Sequence, residues 1–233
     1  MRDLFRKAMA VFLASTLLFV GVPLQSFAAE VVIYQNDFES SPNMTIDHYP
    51  TPAQWGNTNP VSNVVWGLSF REKKSGSRSL WCAGNPSGRT TYDNNMNTYA
   101  RIYTDMSSYS SAHVRFWYKV PSIAYGSDDL GALRIVNENT GSLYVAWFTS
   151  YPPTPNWTLV DISVPSQFLG SGKTNIRFEW VWISNQQDTG IGLYIDDVYI
   201  GGLTADTTPP TAPSGLSVAR LGNSLNLSWS AST

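Results

Sequence analysis

The sequence predicts an all-β protein, an antiparallel β-sandwich, and three observations carry that prediction. Apolar residues recur with a period of two: Val114, Phe116 and Tyr118 alternate with Arg115, Trp117 and Lys119, the pattern of a strand with one face buried. About ten such runs are short and separated by turn clusters such as Lys74-Ser75-Gly76-Ser77, Asn85-Pro86-Ser87-Gly88 and Gly170-Ser171-Gly172, where glycine and proline punctuate the chain. Beyond the N-terminal segment the sequence holds no amphipathic stripe of helical period, so the strands have no helices to alternate with, and a parallel α/β sheet is excluded.

In chain order, the first element is an export signal. Arg2, Arg6 and Lys7 precede an apolar run from Ala8 to about Pro23, and Ser26-Phe27-Ala28 supplies small residues at a cleavage site. This is the layout of a secretory signal peptide over 1–28, and the run is shorter than the roughly 20 residues that cross a bilayer. A body over 30–201 comes next. Its expected strands are Val31–Tyr34, Val65–Phe70, Ser79–Ala83, Tyr99–Tyr103, Val114–Tyr118, Leu133–Val136, Leu143–Phe148, Thr158–Val164, Ile176–Trp182 and Leu193–Ile200. Residues 202–213 contain Thr-Pro-Pro-Thr-Ala-Pro and read as a stiff, extended linker. A last segment, 214–233, holds two further strand patterns.

Composition narrows the function. Only 14% of the 233 residues are charged, and 13% are aromatic, the opposite of a disordered chain. Fifteen basic side chains face 17 acidic ones; without residues 1–28 the balance is 12 to 16. A mildly acidic chain without a basic cluster offers no grip on nucleic acid or an anionic membrane. The single cysteine, Cys82, rules out a disulfide framework and a cysteine zinc site, and it is expected to be a buried, inert thiol. His48 and His113 are the two histidines, too few for a histidine metal centre.

Five segments in order carry a resemblance: Asn36-Asp37-Phe38-Glu39-Ser40, then Ser75 to Gly84, Tyr92 to Tyr99, Ala112 to Tyr118, and Gly192-Leu193-Tyr194-Ile195-Asp196-Asp197-Val198-Tyr199-Ile200. Over nearly all of 30–201 the chain resembles the jelly-roll accessory modules of large exported bacterial proteins. These include MAM-like modules, domains attached to immune-inhibitor-type peptidases, and carbohydrate-binding modules. The segment 214–233 resembles the first two strands of a fibronectin type III domain, with Trp229 as its core tryptophan; it is expected to be an incomplete domain, loosely packed or disordered alone. The resemblance implies a structural calcium ion, held in this chain by Asp37, Glu39 and Asp197 with Asp196 or backbone carbonyls. The residues themselves allow a second reading, in which these acids cap backbone amides at turns and strand edges. Asp128-Asp129 forms another acidic doublet whose role the pattern leaves open.

Nine tryptophans and 12 tyrosines supply the bulk that a disulfide-free sandwich needs. Some could instead form a platform for the apolar faces of sugars. The loop-side candidates are Trp55, Tyr92, Trp147, Tyr151, Trp157 and Trp182. Enzyme motifs are missing: the sequence has no His-Glu-x-x-His and no Gly-x-Ser-x-Gly. Glycoside hydrolysis would need two placed carboxylates, and Glu179, in mid-strand, reads as a solvent-face acid. No catalytic residue is expected. The expectation is a secreted, monomeric, non-catalytic module that binds extracellular carbohydrate as an accessory part of a larger exported enzyme or adhesin. The alternatives are a structural spacer or protein-interaction module and, further off, a glycoside hydrolase.

Overall fold

The computed structural model describes residues 30–51, 60–125, 128–204, 214–222 and 224–230. The signal segment 1–28 and most of the expected linker lie outside the described residues. Within them run β1 (Val31–Asn36), β2 (Thr45–His48), β3 (Val65–Ser69), β4 (Ser79–Asn85), β5 (Asn97–Thr104) and β6 (Tyr109–Val120). Then come β7 (Leu130–Asn137), β8 (Ser142–Thr149), β9 (Thr154–Ser163), β10 (Ile176–Ile183) and β11 (Tyr194–Thr204). Sheet A has the order β3-β4-β11-β6-β9, with β1 also on β11; sheet B has the order β2-β5-β10-β7-β8. The pairings within both sheets are antiparallel. The expected antiparallel sandwich is therefore what the chain forms.

The period of two explains the two layers. On β10, Ile176, Phe178, Trp180 and Trp182 are fully buried and belong to the central core. They meet the alternate residues of sheet A: the Phe116 ring on β6 stands edge-on to Trp180 at 5.7 Å and to Trp147 at 5.2 Å, the preferred geometry for two quadrupolar rings. Cys82 is buried as expected, and burial pushes its thiol well above the ordinary range. Trp117, in contrast, points away from the core, with the Lys74 ammonium 4.2 Å from its ring centre.

Two details differ from the sequence reading. Strand β2 has no counterpart among the expected strands, because its four residues Thr-Ile-Asp-His carry one apolar side chain, too few to show a period. The last strand runs to Thr204, past the expected boundary at 202, because Gly201 and Gly202 pair with β1 on one side and β6 on the other. The segment after the linker carries the two strands expected of it, β12 (Ser214–Leu221) and β13 (Ser224–Ser230), here paired in order as a hairpin, in which Trp229 is 59% exposed.

Strand β11 ties the acidic residues of the sequence into one place. Its first residues, Tyr194 and Ile195, pair with β4, and Val198 to Gly202 pair with β1 along the same edge. Between them Asp196 and Asp197 form an irregularity in the ladder to β6, the kind of bulge that re-aims side chains.

Candidate functional site

The bulge brings together the acids expected to act as a group. The buried Asp196 carboxylate accepts the backbone N–H groups of Lys74 at 2.8 Å, Ser75 at 3.3 Å and Asp197 at 2.8 Å. Asp197 accepts the Ser75 hydroxyl at 2.7 Å. Glu39 accepts the N–H groups of Ser77 and Arg78, each at 2.9 Å, and the Ser77 hydroxyl at 2.6 Å. These hydrogen bonds hold the Glu39 carboxyl below its usual range, the Ser77 hydroxyl contributing most. Asp37 accepts the Glu39 N–H at 3.1 Å, and the Arg78 guanidinium donates to the Glu39 carbonyl.

The first and last strands lie side by side, as the resemblance implies, and the carboxylates near them are engaged, as placed, by protein donors. Calcium needs six to eight oxygens aimed at one point. Here N–H and O–H groups engage both oxygens of Asp196 and Glu39 and one oxygen each of Asp37 and Asp197, and a guanidinium takes the Glu39 carbonyl. Among the described residues no three His, Cys, Asp or Glu side chains gather to hold a metal ion. As placed, these acids fit the capping alternative: Asp196 and Asp197 on β11 and Glu39 after β1 hold residues 74–78, and Asp37 caps the Glu39 amide.

The aromatic candidates scatter. Tyr92 and Trp182 are fully buried and cannot serve as sugar platforms; instead of lying loop-side, their rings pack edge-on at 5.1 Å inside the sandwich. Tyr92 turns its hydroxyl inward to Asp129 at 2.5 Å. That contact gives the second acidic doublet a structural role, completed by the Asn185 N–H at 2.7 Å. Trp147 and Trp157 are partly buried and pack against the core. Tyr151 is 43% exposed, and its ring meets Tyr125 at 5.2 Å. Trp55 lies outside the described residues.

The face that sequence reasoning missed is the outer side of sheet B. The register places its outward residues in rows across the strands. One row reads Asp47 (β2), Tyr99 (β5), Val181 (β10), Ala132 (β7) and Phe148 (β8). The next reads Thr45, Arg101, Glu179, Arg134 and Val145. Tyr103 and Arg177 pair in a third row. Two aromatic rings thus stand three strand positions apart, about 14 Å at the usual strand spacing. Between them lie Val181 and Ala132, which are buried.

Glu179 is the hub of the second row. Although it points away from the core, its side chain is 0% exposed. Arg101 and Arg177 bring their Nε atoms to 3.3 Å from its carboxylate, and Arg134 comes to 3.7 Å. The Tyr49 hydroxyl donates to it at 2.8 and 2.9 Å; burial and the Glu179 charge keep that phenol above its ordinary range. Arg177 also pairs with Glu138 at 2.6 Å. The Arg101 guanidinium lies 3.3 Å from the Tyr99 ring centre and donates to the Tyr103 hydroxyl at 3.3 Å. The signal was present in the sequence as Tyr99-x-Arg101-x-Tyr103 and Arg177-x-Glu179, polar and aromatic residues at every second position in strands whose other face is core. What one strand could not reveal was which strand lay beside it.

No protein-family model and no curated protein matches the sequence. Solved structures resemble the chain at low identity. The CBM22-1–GH10 modules of Clostridium thermocellum endo-1,4-β-D-xylanase 10B, complexed with xylohexaose, match 78% of this chain at 12% identity and a TM-score of 0.45; this chain spans 30% of that one. The CBM22-1 xylan-binding domain of Paenibacillus barcinonensis Xyn10C matches 77% of this chain and 99% of its own, at 10% identity and a TM-score of 0.44. The K1 cleaved adhesin domain of Porphyromonas gingivalis Lys-gingipain matches 74% and 97%, at 12% identity and a TM-score of 0.42. At these values the likeness transfers neither ligand nor residue roles to this chain.

Proposed function

We propose that this chain is a secreted, non-catalytic module that binds extracellular polysaccharide on the outer face of sheet B, as an accessory part of a larger exported enzyme or adhesin. One observation carries the reading. Tyr99 and Phe148 flank the buried Val181 and Ala132, beside a second row of guanidinium and carboxylate groups held rigid by one another. Aromatic faces suit the apolar C–H surfaces of sugar rings, and fixed polar groups beside them suit hydroxyls. Phe148 is 68% exposed, an accessible ring with no partner in the core. The carboxylates of this face support binding rather than hydrolysis. Glu179 is surrounded by guanidiniums, and Glu138 is paired with Arg177, whereas a glycosidase needs one carboxyl free to give a proton. Export rests on the signal pattern of residues 1–28.

Affinity electrophoresis of the full chain in gels containing soluble xylan or mixed-linkage glucan tests the proposal. Retardation is expected, and Tyr99→Ala or Phe148→Ala should weaken it about 3–10-fold, the value of one aromatic contact. A chain that no polysaccharide retards, or variants that bind as the parent does, would overturn it. The spacer reading draws on the Glu179 hub being satisfied by the protein's own side chains, and it predicts the unretarded outcome.

A further inference from the structure

Sheet A carries a cleft of different chemistry. It lies between β1, the turn after it and the β11 bulge, and its volume is about 580 Å³, within the usual range for small-molecule sites. Gln35 and Asn43 present amides, Ser40 a hydroxyl, Tyr199 an aromatic ring, and Asp37 and Asp197 carboxylates. No lysine, arginine or histidine lines it.

Each carboxylate is anchored through one oxygen. Asp37 Oδ1 accepts the Glu39 N–H, and Asp197 Oδ1 accepts the Ser75 hydroxyl; neither Oδ2 has a hydrogen-bond donor among the described residues. Two guanidiniums stand outside the lining: Arg78 is taken up by the Glu39 carbonyl, and Arg115, 6.0 Å from the Tyr199 ring centre, is paired with Asp161 at 2.7 Å. Glu30, beside the Tyr199 hydroxyl, adds negative rather than positive charge.

The cleft therefore offers two half-free carboxylates with no cationic side chain in its lining, among amides, a hydroxyl and a ring. We propose that it binds an amino sugar carrying a free ammonium group, the unit of a deacetylated, chitosan-type glycan. The ammonium pairs with Asp37 and Asp197, the ring hydroxyls meet the amides, and the apolar sugar face lies against Tyr199. This inference stands apart from the sheet B reading, because it uses other residues in the other sheet.

Calorimetry of the full chain at low salt, with glucosamine hexamer and with its fully N-acetylated counterpart, tests it. The free-amine oligomer should bind at least 10-fold more tightly, and its affinity should fall as salt is raised. The double variant Asp37→Asn, Asp197→Asn should lose that preference; Asn tolerates the left-handed backbone of Asp197, φ 48°, as Asp does, and a thermal melt checks folding. Amide shifts of Gln35 and Asn43 on adding the oligomer to the parent protein give a readout without any variant. Equal affinity for both oligomers, an unchanged double variant, or unmoved Gln35 and Asn43 amides would each overturn the proposal. Tyr99→Ala, Phe148→Ala protein should keep amino-sugar binding. If it does not, the ligand sits on sheet B and the cleft proposal fails, whereas failure of xylan or glucan binding leaves the cleft measurements unaffected.

Discussion

Glu179 occupies a position that the alternation of β10 assigns to solvent, yet three arginines and a tyrosine enclose it. An isolated carboxylate could not be buried there, and the guanidiniums offset the cost of its burial. Removing the negative charge leaves the arginines, themselves 12–24% exposed, facing one another. Glu179→Gln should therefore cost about 3 kcal/mol or more, read as a lower urea midpoint with an unchanged slope. Tyr49→Phe removes one hydrogen bond from the same carboxylate and should cost only about 1 kcal/mol. Near-equal losses would show that the charge is not what the cluster balances. Asp196 shows the opposite balance. Burial raises its carboxyl to about 6, against three backbone N–H groups that pull it down. An unfolded aspartate titrates near 3.9, so the folded state holds its proton more tightly. Its stabilising contribution is complete below about pH 4 and is lost as pH rises through 6. A carboxyl-detected NMR titration should place the Asp196 midpoint near 6; a midpoint near 4 would mean that the hydrogen bonds win over burial.

At the scale of elements, β3 and β4 illustrate how closely two strands can approach. A Cβ on Gly84 would meet the Gly67 carbonyl oxygen at 2.2 Å, and one on Gly67 would meet the Gly84 carbonyl carbon at 2.6 Å. Both obstacles are backbone, so neither can turn aside. Gly84→Ala should cost at least about 1–3 kcal/mol, with hydrogen exchange accelerated first in β3, the edge strand of sheet A; a variant as stable as the parent would show that the two strands can part there without loss. The edge strand of sheet B poses a different question. Leu143, Tyr144, Val145 and Phe148 on β8 are each more than 40% exposed, and an apolar edge invites pairing with other chains. Val145→Lys should suppress aggregation, measured by light scattering on heating, while leaving the urea midpoint within about 0.5 kcal/mol. The strands themselves were mostly legible, because aromatic and β-branched residues alternate over five or more positions in β6 and β10. Strand β2 was not, for want of apolar residues. The burial of Trp182 was in the pattern, since it shares a face with Phe178 and Trp180; that of Tyr92 was not, because it lies between strands and is drawn in by Asp129, 37 residues away.

For the whole molecule, the question is how a sandwich whose single cysteine is free stays closed. The aromatic core supplies the apolar burial, and Glu39 and Asp196 fasten residues 74–78 through their backbone N–H groups. The melting temperature of the full chain should accordingly be the same in calcium and in excess chelator; a fall of several degrees in chelator would restore a calcium site and require these carboxylates to rearrange. The sandwich could be read from the sequence because its pattern is local. The Glu179 face could not, since it gathers residues from β2, β5, β7 and β10 whose adjacency only the strand order supplies.

The pairing of the first strand with the last has a mechanical consequence. Val31 lies opposite Gly202, so the polypeptide enters and leaves the sandwich at the same place. A chain pulled from both sides of this module would load that pair as a zipper, breaking one rung at a time, instead of shearing all its hydrogen bonds together. Tension across those two ends would open the sandwich first at β1, the strand that also forms a wall of the acidic cleft.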